Sequence, residues 1–281
     1  MAKILHEEPT KKLQEEILDL LVEFDRVCRK NHIEYSLACG TLLGAVRHHG
    51  FIPWDNDADV ELTREEYEKF VRIGQDDLQK DRFFFQDSST DPGYKWPYGK
   101  LRKKNTHYVR PGQSDIKQQD GICIDVFILD PTSDAAPIRW LQYWGTWLCR
   151  KVLYSAVGMH SMKHFWDRWG FRLLHHISDH TAQKWFQQIV HWYRGGKTGW
   201  LGFFDTSCHP RYSFAFRASW YAERMDAVFE GHTFRIPAGY DAILRNKYQD
   251  YMVLPPVEKR VGSSGAEYIL FSDGTEYRSN S

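Results

Sequence analysis

Net charge is what this chain has least of: 37 Lys and Arg stand against 37 Asp and Glu, leaving zero. With no global field, nothing draws the whole protein onto nucleic acid or an anionic membrane, and no nucleic-acid partner is expected. Cysteine is scarce and odd in number. Cys28, Cys39, Cys123, Cys149 and Cys208 are widely spaced and form no Cys-x-x-Cys pair. That spacing argues against a zinc site or a disulfide framework and for free thiols in a reducing compartment. No run approaches the roughly 18 apolar residues of a spanning helix. The start, Met-Ala-Lys-Ile-Leu-His-Glu-Glu, lacks the apolar stretch of a signal peptide. A cytoplasmic location is therefore expected. Internal repeats and low-complexity tracts are absent as well.

What is present suffices for a large domain with an insertion. The chain has 281 residues, 42% of them apolar, with 11 Trp, 15 Tyr and 17 Phe. Residues 9 to 31 read as an amphipathic helix, with Leu13, Ile17, Leu20, Leu21, Phe24, Val27 and Cys28 at spacings of three and four. Residues 33 to 37 alternate as a short strand that stops at Cys39-Gly40. Thr41 to His48 reads as a short helix, and alternation returns from Asp55 to Leu62. Thr63, with Glu66 three residues on, predicts a capping box. Further strands are expected at 83–86, 98–102 and 122–128, with a long polar loop from Lys103 to Gly121. From Pro137 to about Tyr193, Trp, Phe and Tyr alternate with Lys, Arg and His, which reads as a helical insertion. Gly195, Gly196 and Gly199 close it, and the end after Pro255-Pro256 is short and polar. Three parts are thus expected: a catalytic core at 1–136, a Trp-rich helical insertion at 137–199, and a segment completing the core at 200–281.

The chemistry-bearing feature is Asp57-Ala58-Asp59. On a strand, positions i and i+2 share a face. Two adjacent carboxylates repel unless a cation lies between them. Mg²⁺ prefers oxygen ligands, typically one or two carboxylates plus phosphate oxygens. Paired metal ions suit phosphoryl transfer. Asp125, a lone acid in the apolar run Ile124-Asp125-Val126, is the natural third member. An Asp-x-Asp by itself is more often an ordinary solvated strand. Gly40-Thr41, ending one strand and opening a helix, adds a turn where phosphate can approach backbone N–H groups.

The stretch Gly40-Thr41-Leu42-Leu43-Gly44-Ala45-Val46-Arg47-His48-His49-Gly50-Phe51-Ile52-Pro53-Trp54-Asp55-Asn56-Asp57-Ala58-Asp59 resembles the signature of the LicD family, which includes phosphorylcholine transferases and resembles the fukutin and fukutin-related ribitol-phosphate transferases. Gln14, Lys100-Leu101-Arg102, the run from Gly121 to Asp130, Phe229-Glu230-Gly231 and the run from Lys247 to Pro256 resemble other segments of it. The match covers residues 10 to 130 and 220 to 260. Asn56 replaces the usual Asp, Ala58 an often-found Ile, and Val261-Gly262-Ser263 stands where a His commonly follows.

The resemblance implies an α+β, nucleotidyltransferase-like mixed sheet flanked by helices. It implies transfer of a phospho-substituent, phosphocholine or a similar phospho-alcohol, from a CDP-linked donor such as CDP-choline to a glycan hydroxyl of teichoic acid or lipopolysaccharide. Mg²⁺ or Mn²⁺, as two ions, would be held by Asp57 and Asp59, with Asp125 a third ligand or the general base. Gly40, Thr41, Arg47, Lys100 and Arg102 are the expected donor contacts. Arg47 has an alternative partner in Asp55, and Lys100 with Arg102 an alternative as a solvated edge. Trp54 reads as core, His48 and His49 as turn residues, and Asp55 and Asp130 as supporting or capping acids. The Trp-rich segment reads either as core or as a surface for the inner membrane face and lipid-linked acceptors. Two rivals share the motifs: a nucleotidyltransferase placing NMP on a small molecule, and a non-catalytic glycan-binding module.

Overall fold

The computed structural model describes residues 4–5, 9–111, 118–162, 164–194, 196, 198–205, 214–262 and 265–279. Helix α1 (Thr10–Lys30) has the expected bounds to within one residue. Its apolar stripe, Leu13, Ile17, Leu20, Leu21, Phe24, Val27 and Cys28, is wholly buried in the main core. Strands β1 (Ile4–Leu5) and β2 (Ser36–Leu37) flank it, and helix α2 (Cys39–His48) follows directly. His49 ends α2 in the left-handed conformation, φ 56°. Gly44 is required inside α2, because a Cβ there would come 2.5 Å from the carbonyl oxygen of Gly50.

Strand β3 (Asp59–Thr63) leads into α3 (Arg64–Arg72). Only half of the expected capping box forms. The Thr63 hydroxyl accepts from the Glu66 N–H at 3.5 Å, while the Glu66 carboxylate turns to the N–H of Glu34 at 2.9 Å. Strands β4 (Phe83–Gln86), β5 (Gly99–Lys103), β6 (His107–Val109) and β7 (Cys123–Thr132) come next. Helices α4 (Ala136–Leu153), α5 (Ser155–Ser161), α6 (Phe165–Leu174) and α7 (Asp179–Val190) fill the aromatic-rich stretch. The chain returns through β8 (Trp200–Phe203), β9 (Ala215–Arg217), the hairpin β10 (Arg224–Phe229) and β11 (His232–Pro237), α8 (Tyr240–Tyr248), β12 (Tyr268–Leu270) and β13 (Glu276–Arg278).

The architecture is α+β with a mixed sheet flanked by helices. The main sheet runs β2-β3-β7-β5-β4, and β8 with β9 continues it from the far half of β7. β3 and β7 are parallel, and the other pairings in this sheet are antiparallel. A second sheet, β1-β13-β12-β6, uses two segments that looked structureless. The loop after Lys103 contributes β6, and the polar end contributes β12 and β13, burying Ile269, Phe271 and Tyr277. Short strands with polar flanks carry too little periodicity to stand out in a sequence.

The helical stretch builds small cores of its own around Tyr143, Phe186, Val190 and Phe214, and around Val152, Leu153 and Ala182. The question of core against surface divides by residue. Tyr143, Phe171 and Phe186 are buried, whereas Trp140, Trp144, Trp166, Trp169, Trp185 and Trp192 are exposed. Cys28, Cys39, Cys123 and Cys149 form no disulfide among the described residues; Cys208 lies outside them. Among the described residues no helix is long and apolar enough to cross a membrane.

Candidate functional site

Strand register brings the predicted acids and a cation into one line. Asp59 on β3 pairs with Asp125 on β7, and Asp125 pairs with Lys100 on β5. Residues directly opposite across neighbouring strands project to the same face, so the row reads acid, acid, cation across the sheet. Lys100 Nζ closes the row in an ion pair with Asp125 Oδ1. Burial, and then the Asp57 and Asp125 carboxylates, push the Asp59 carboxyl well above the usual range, with Lys247 opposing them.

Asp57 reaches the site differently from the expectation. β3 begins at Asp59, so Asp57 lies in the connecting segment and the strand-face argument does not apply to it. The segment is tethered instead. Gln14 on α1 donates to the carbonyl oxygens of Asp55 at 2.8 Å and Ile52 at 3.3 Å. The Asp55 and Asp57 side chains share a hydrogen bond, and burial together with Asp57 pushes the Asp55 carboxyl up to about 8. Asn56 is buried.

The Gly40-Thr41 turn supports these acids. The Thr41 hydroxyl accepts from the Asp59 N–H at 2.9 Å, which fixes the start of β3. A Cβ on Gly40 would stand 2.7 Å from Asp55 Oδ2, so the Asp55 carboxylate occupies the N-terminal end of α2. That is the favourable end for an anion, and Asp55 already stands at it. Arg47 makes no ion pair with Asp55 among the described residues. Its Nη1 donates to the Tyr251 carbonyl oxygen at 2.6 Å, tying α2 to the segment after α8. Trp54 is half-buried, with His48 edge-on and the Arg260 guanidinium 5.6 Å from its ring. Asp130 is structural: it makes a two-point ion pair with Arg64.

Lys100 and Arg102 are both buried, which overturns the solvated-edge alternative. β5 lies between β7 and β4 rather than at an edge. Arg102 Nε donates to Gln86 Oε1, and its Nη1 donates to the Gly121 carbonyl oxygen at 2.6 Å. Lys247 on α8 was missed by sequence reasoning. It lowers the Asp59 carboxyl by its charge and lies 2.7 Å from Cys39 Sγ at the start of α2. Its only signal was membership of the Lys247 to Pro256 run.

The donor set fits a divalent cation through two carboxylates rather than three. Asp55, Asp57, Asp59 and Asp125 lie close enough to act on one another's charge, whereas Glu61 faces Lys247, Arg224 and the Tyr221 hydroxyl. Such a surplus of oxygen charge suits Mg²⁺ or Mn²⁺. Yet among the described residues no group of three or more His, Cys, Asp or Glu is placed around a common point to hold a metal ion. Lys100 takes one oxygen of Asp125. That leaves Asp57 and Asp59 as the two carboxylates that could hold a cation here.

Residues 32–148 match the family model described as LicD/FKTN/FKRP, nucleotidyltransferase domain. The chain is 27% identical over 250 residues to the lipopolysaccharide cholinephosphotransferase LicD of Haemophilus influenzae, covering 86% of this chain and 90% of that one. It is 40% identical over 57 residues to an uncharacterised protein of Rickettsia typhi, 18% of that protein's length. The matched span 32–148 runs from the strand before α2 through Asp57, Asp59, Lys100 and Asp125, so the row of charges lies inside the part that is similar to the LicD family model.

Proposed function

We propose that this protein is a transferase that moves phosphocholine, or another phospho-alcohol, from a CDP-linked donor to a hydroxyl of a cell-surface glycan of the lipopolysaccharide or teichoic acid kind. The observation that carries the reading is the in-register row Asp59, Asp125, Lys100 with Asp57 beside it. The Haemophilus relative, itself a lipopolysaccharide cholinephosphotransferase, supports it. In this scheme Asp125, held by Lys100, takes the proton of the acceptor hydroxyl. The hydroxyl oxygen bonds to the donor's β-phosphorus, the bond from that phosphorus to the bridging oxygen breaks, and CMP leaves. Asp57 and Asp59 would hold Mg²⁺ or Mn²⁺, which neutralises charge on the transferring phosphate. Arg102 braces β5 through Gln86 and Gly121, so that Lys100 keeps its register with Asp125.

The test is product analysis. Incubation with CDP-choline, a glycan acceptor and Mn²⁺ or Mg²⁺ is expected to release CMP and label the acceptor with phosphocholine, and a chelator is expected to stop it. Pyrophosphate released from CTP or ATP, with NMP left on the acceptor, would show the rival nucleotidyltransferase instead.

The helical stretch supplies a membrane-facing surface in this scheme. Trp140, Leu141, Trp144 and Leu148 are exposed on α4, and Phe165, Trp166, Trp169 and Leu173 on α6. Residues 137–199 hold nine Lys or Arg against two Asp, an excess of positive charge that the rest of the chain offsets with more acidic than basic residues. Exposed Trp amid cationic side chains suits the headgroup region of an anionic bilayer. Peripheral attachment at the inner membrane face would bring the site to lipid-linked acceptors. Wild-type protein is expected to float with vesicles containing phosphatidylglycerol, and a Trp166→Ala/Trp169→Ala variant to float less. Wild-type protein that stays with the soluble fraction overturns the membrane assignment.

A further inference from the structure

A pocket of about 370 Å³ opens at the cationic end of the Asp59-Asp125-Lys100 row. Lys100, Arg102 and Cys123 line it from the sheet, Arg110 from beyond β6, and Arg150 with Lys151 from the end of α4. Five cationic side chains therefore meet two acidic ones, Asp120 and Asp205. Both acids are engaged. Asp120 Oδ1 is 2.7 Å from His107 Nδ1, and Asp205 Oδ2 accepts from the Ile128 N–H at 2.7 Å. Burial also pushes the Asp205 carboxyl up to about 7, so it adds less than a full negative charge at neutral pH.

Lys100 is paired with Asp125, and the Asp125 charge also acts on Arg110, but not all of the cations are held in ion pairs. Arg102, Arg110 and Lys151 make no ion pair among the described residues. The Arg110 guanidinium lies 5.8 Å from the Tyr108 ring centre, and Lys151 Nζ lies 5.5 Å from that of Trp147. A charge resting on an aromatic face keeps most of its pull on an anion. Trp96 and Tyr154, with ring centres 6.1 Å apart, add flat apolar faces of the kind on which a sugar ring packs.

Position decides which substrate belongs here. The α2 N-terminus and the Asp57/Asp59 pair lie toward β3, and the pocket lies across β7 from them, toward β5. A donor phosphate drawn to Asp57 and Asp59 through a cation occupies the β3 side. The pocket reaches Asp125 from the other side through its lining residue Lys100, the ion-pair partner of Asp125, where an attacking hydroxyl would surrender its proton. The quaternary ammonium of a choline group is repelled by this set of cations and does not fit it.

We infer that this pocket seats the acceptor and that the acceptor is an anionic sugar, whose phosphate or carboxylate meets Arg110 and Lys151 while its ring packs on Trp96 and Tyr154. The word acceptor rests on the transfer reading; the anionic-sugar site does not. Calorimetric titration of the full chain at low salt, with glucose 6-phosphate and with glucose, tests it. Glucose 6-phosphate is expected to bind at least roughly tenfold more tightly than glucose, the effect of one or two hydrogen bonds to a charged group. Arg110→Gln and Lys151→Gln, each checked for an unchanged circular dichroism spectrum, are expected to weaken glucose 6-phosphate by roughly tenfold. Saturating CMP is expected to leave that titration unaltered. Equal binding of glucose, undiminished binding by both variants, or displacement by CMP each overturns the proposal. The two readings fail separately: absence of CMP release from CDP-choline removes the transfer reading while the titration stands, and a flat titration removes the pocket while transfer stands.

Discussion

Asp59→Asn is expected to lower CMP release from a CDP-linked donor on the order of 10³-fold, comparable to the loss of one preorganised group that stabilises transition-state charge. Asp57→Asn is expected to behave alike. The fold should survive both changes. The Asp59 backbone, not its side chain, takes the Thr41 hydroxyl and the β7 pairing. Burial and neighbouring carboxylates already disfavour the charged form of Asp59. A neutral amide of the same shape removes repulsion with Asp57 and Asp125, so the melting temperature should hold or rise. Measuring CMP release beside a thermal melt separates lost chemistry from lost fold. Near-normal turnover by either variant would end the assignment of this pair as cation ligands.

Arg64→Leu is expected to cost stability heavily, by about 3–5 kcal/mol, the range for breaking a buried pair at one partner. Arg64 and Asp130 are both buried, joined at 2.7 Å and 3.0 Å. This two-point contact fastens the start of α3 to β7, the strand that carries Asp125. Removing the guanidinium leaves Asp130 charged, buried and without it. The double variant Arg64→Met/Asp130→Leu should recover most of the loss. Burial holds the Asp130 carboxyl above its usual range even beside Arg64, so desolvation already offsets much of the attraction. Urea unfolding of the wild type, single and double variants decides it. A single variant within about 1 kcal/mol of wild type would show that the pair carries little stability.

The parts of the fold legible in the sequence were those with strong local periodicity. The stripe of α1, the apolar run of β7 and the turn at Gly40-Thr41 each announced themselves. The second sheet did not, because β6, β12 and β13 have three residues each and owe their existence to one another. Local pattern also misjudged Asp57. A period-two argument assumes a strand, and β3 starts two residues later. The solvated-edge alternative for Lys100 and Arg102 rested on charge suggesting solvent, but the strand between β7 and β4 has no solvent edge.

By itself the sequence determined that this chain carries an Asp-x-Asp with a Gly-Thr turn before it and a lone acid later, and that these resemble one family. Those are local chemical facts, set by residue type and spacing. Only the tertiary structure decided the partners: Lys100 against Asp125, Lys247 facing Asp59, Asp55 at the mouth of α2, and a basic aromatic pocket assembled from β5, the β6 flank and α4. Electrostatic partnership falls with distance in space and is blind to distance along the chain. Strand register sets the first, and sequence spacing reports only the second.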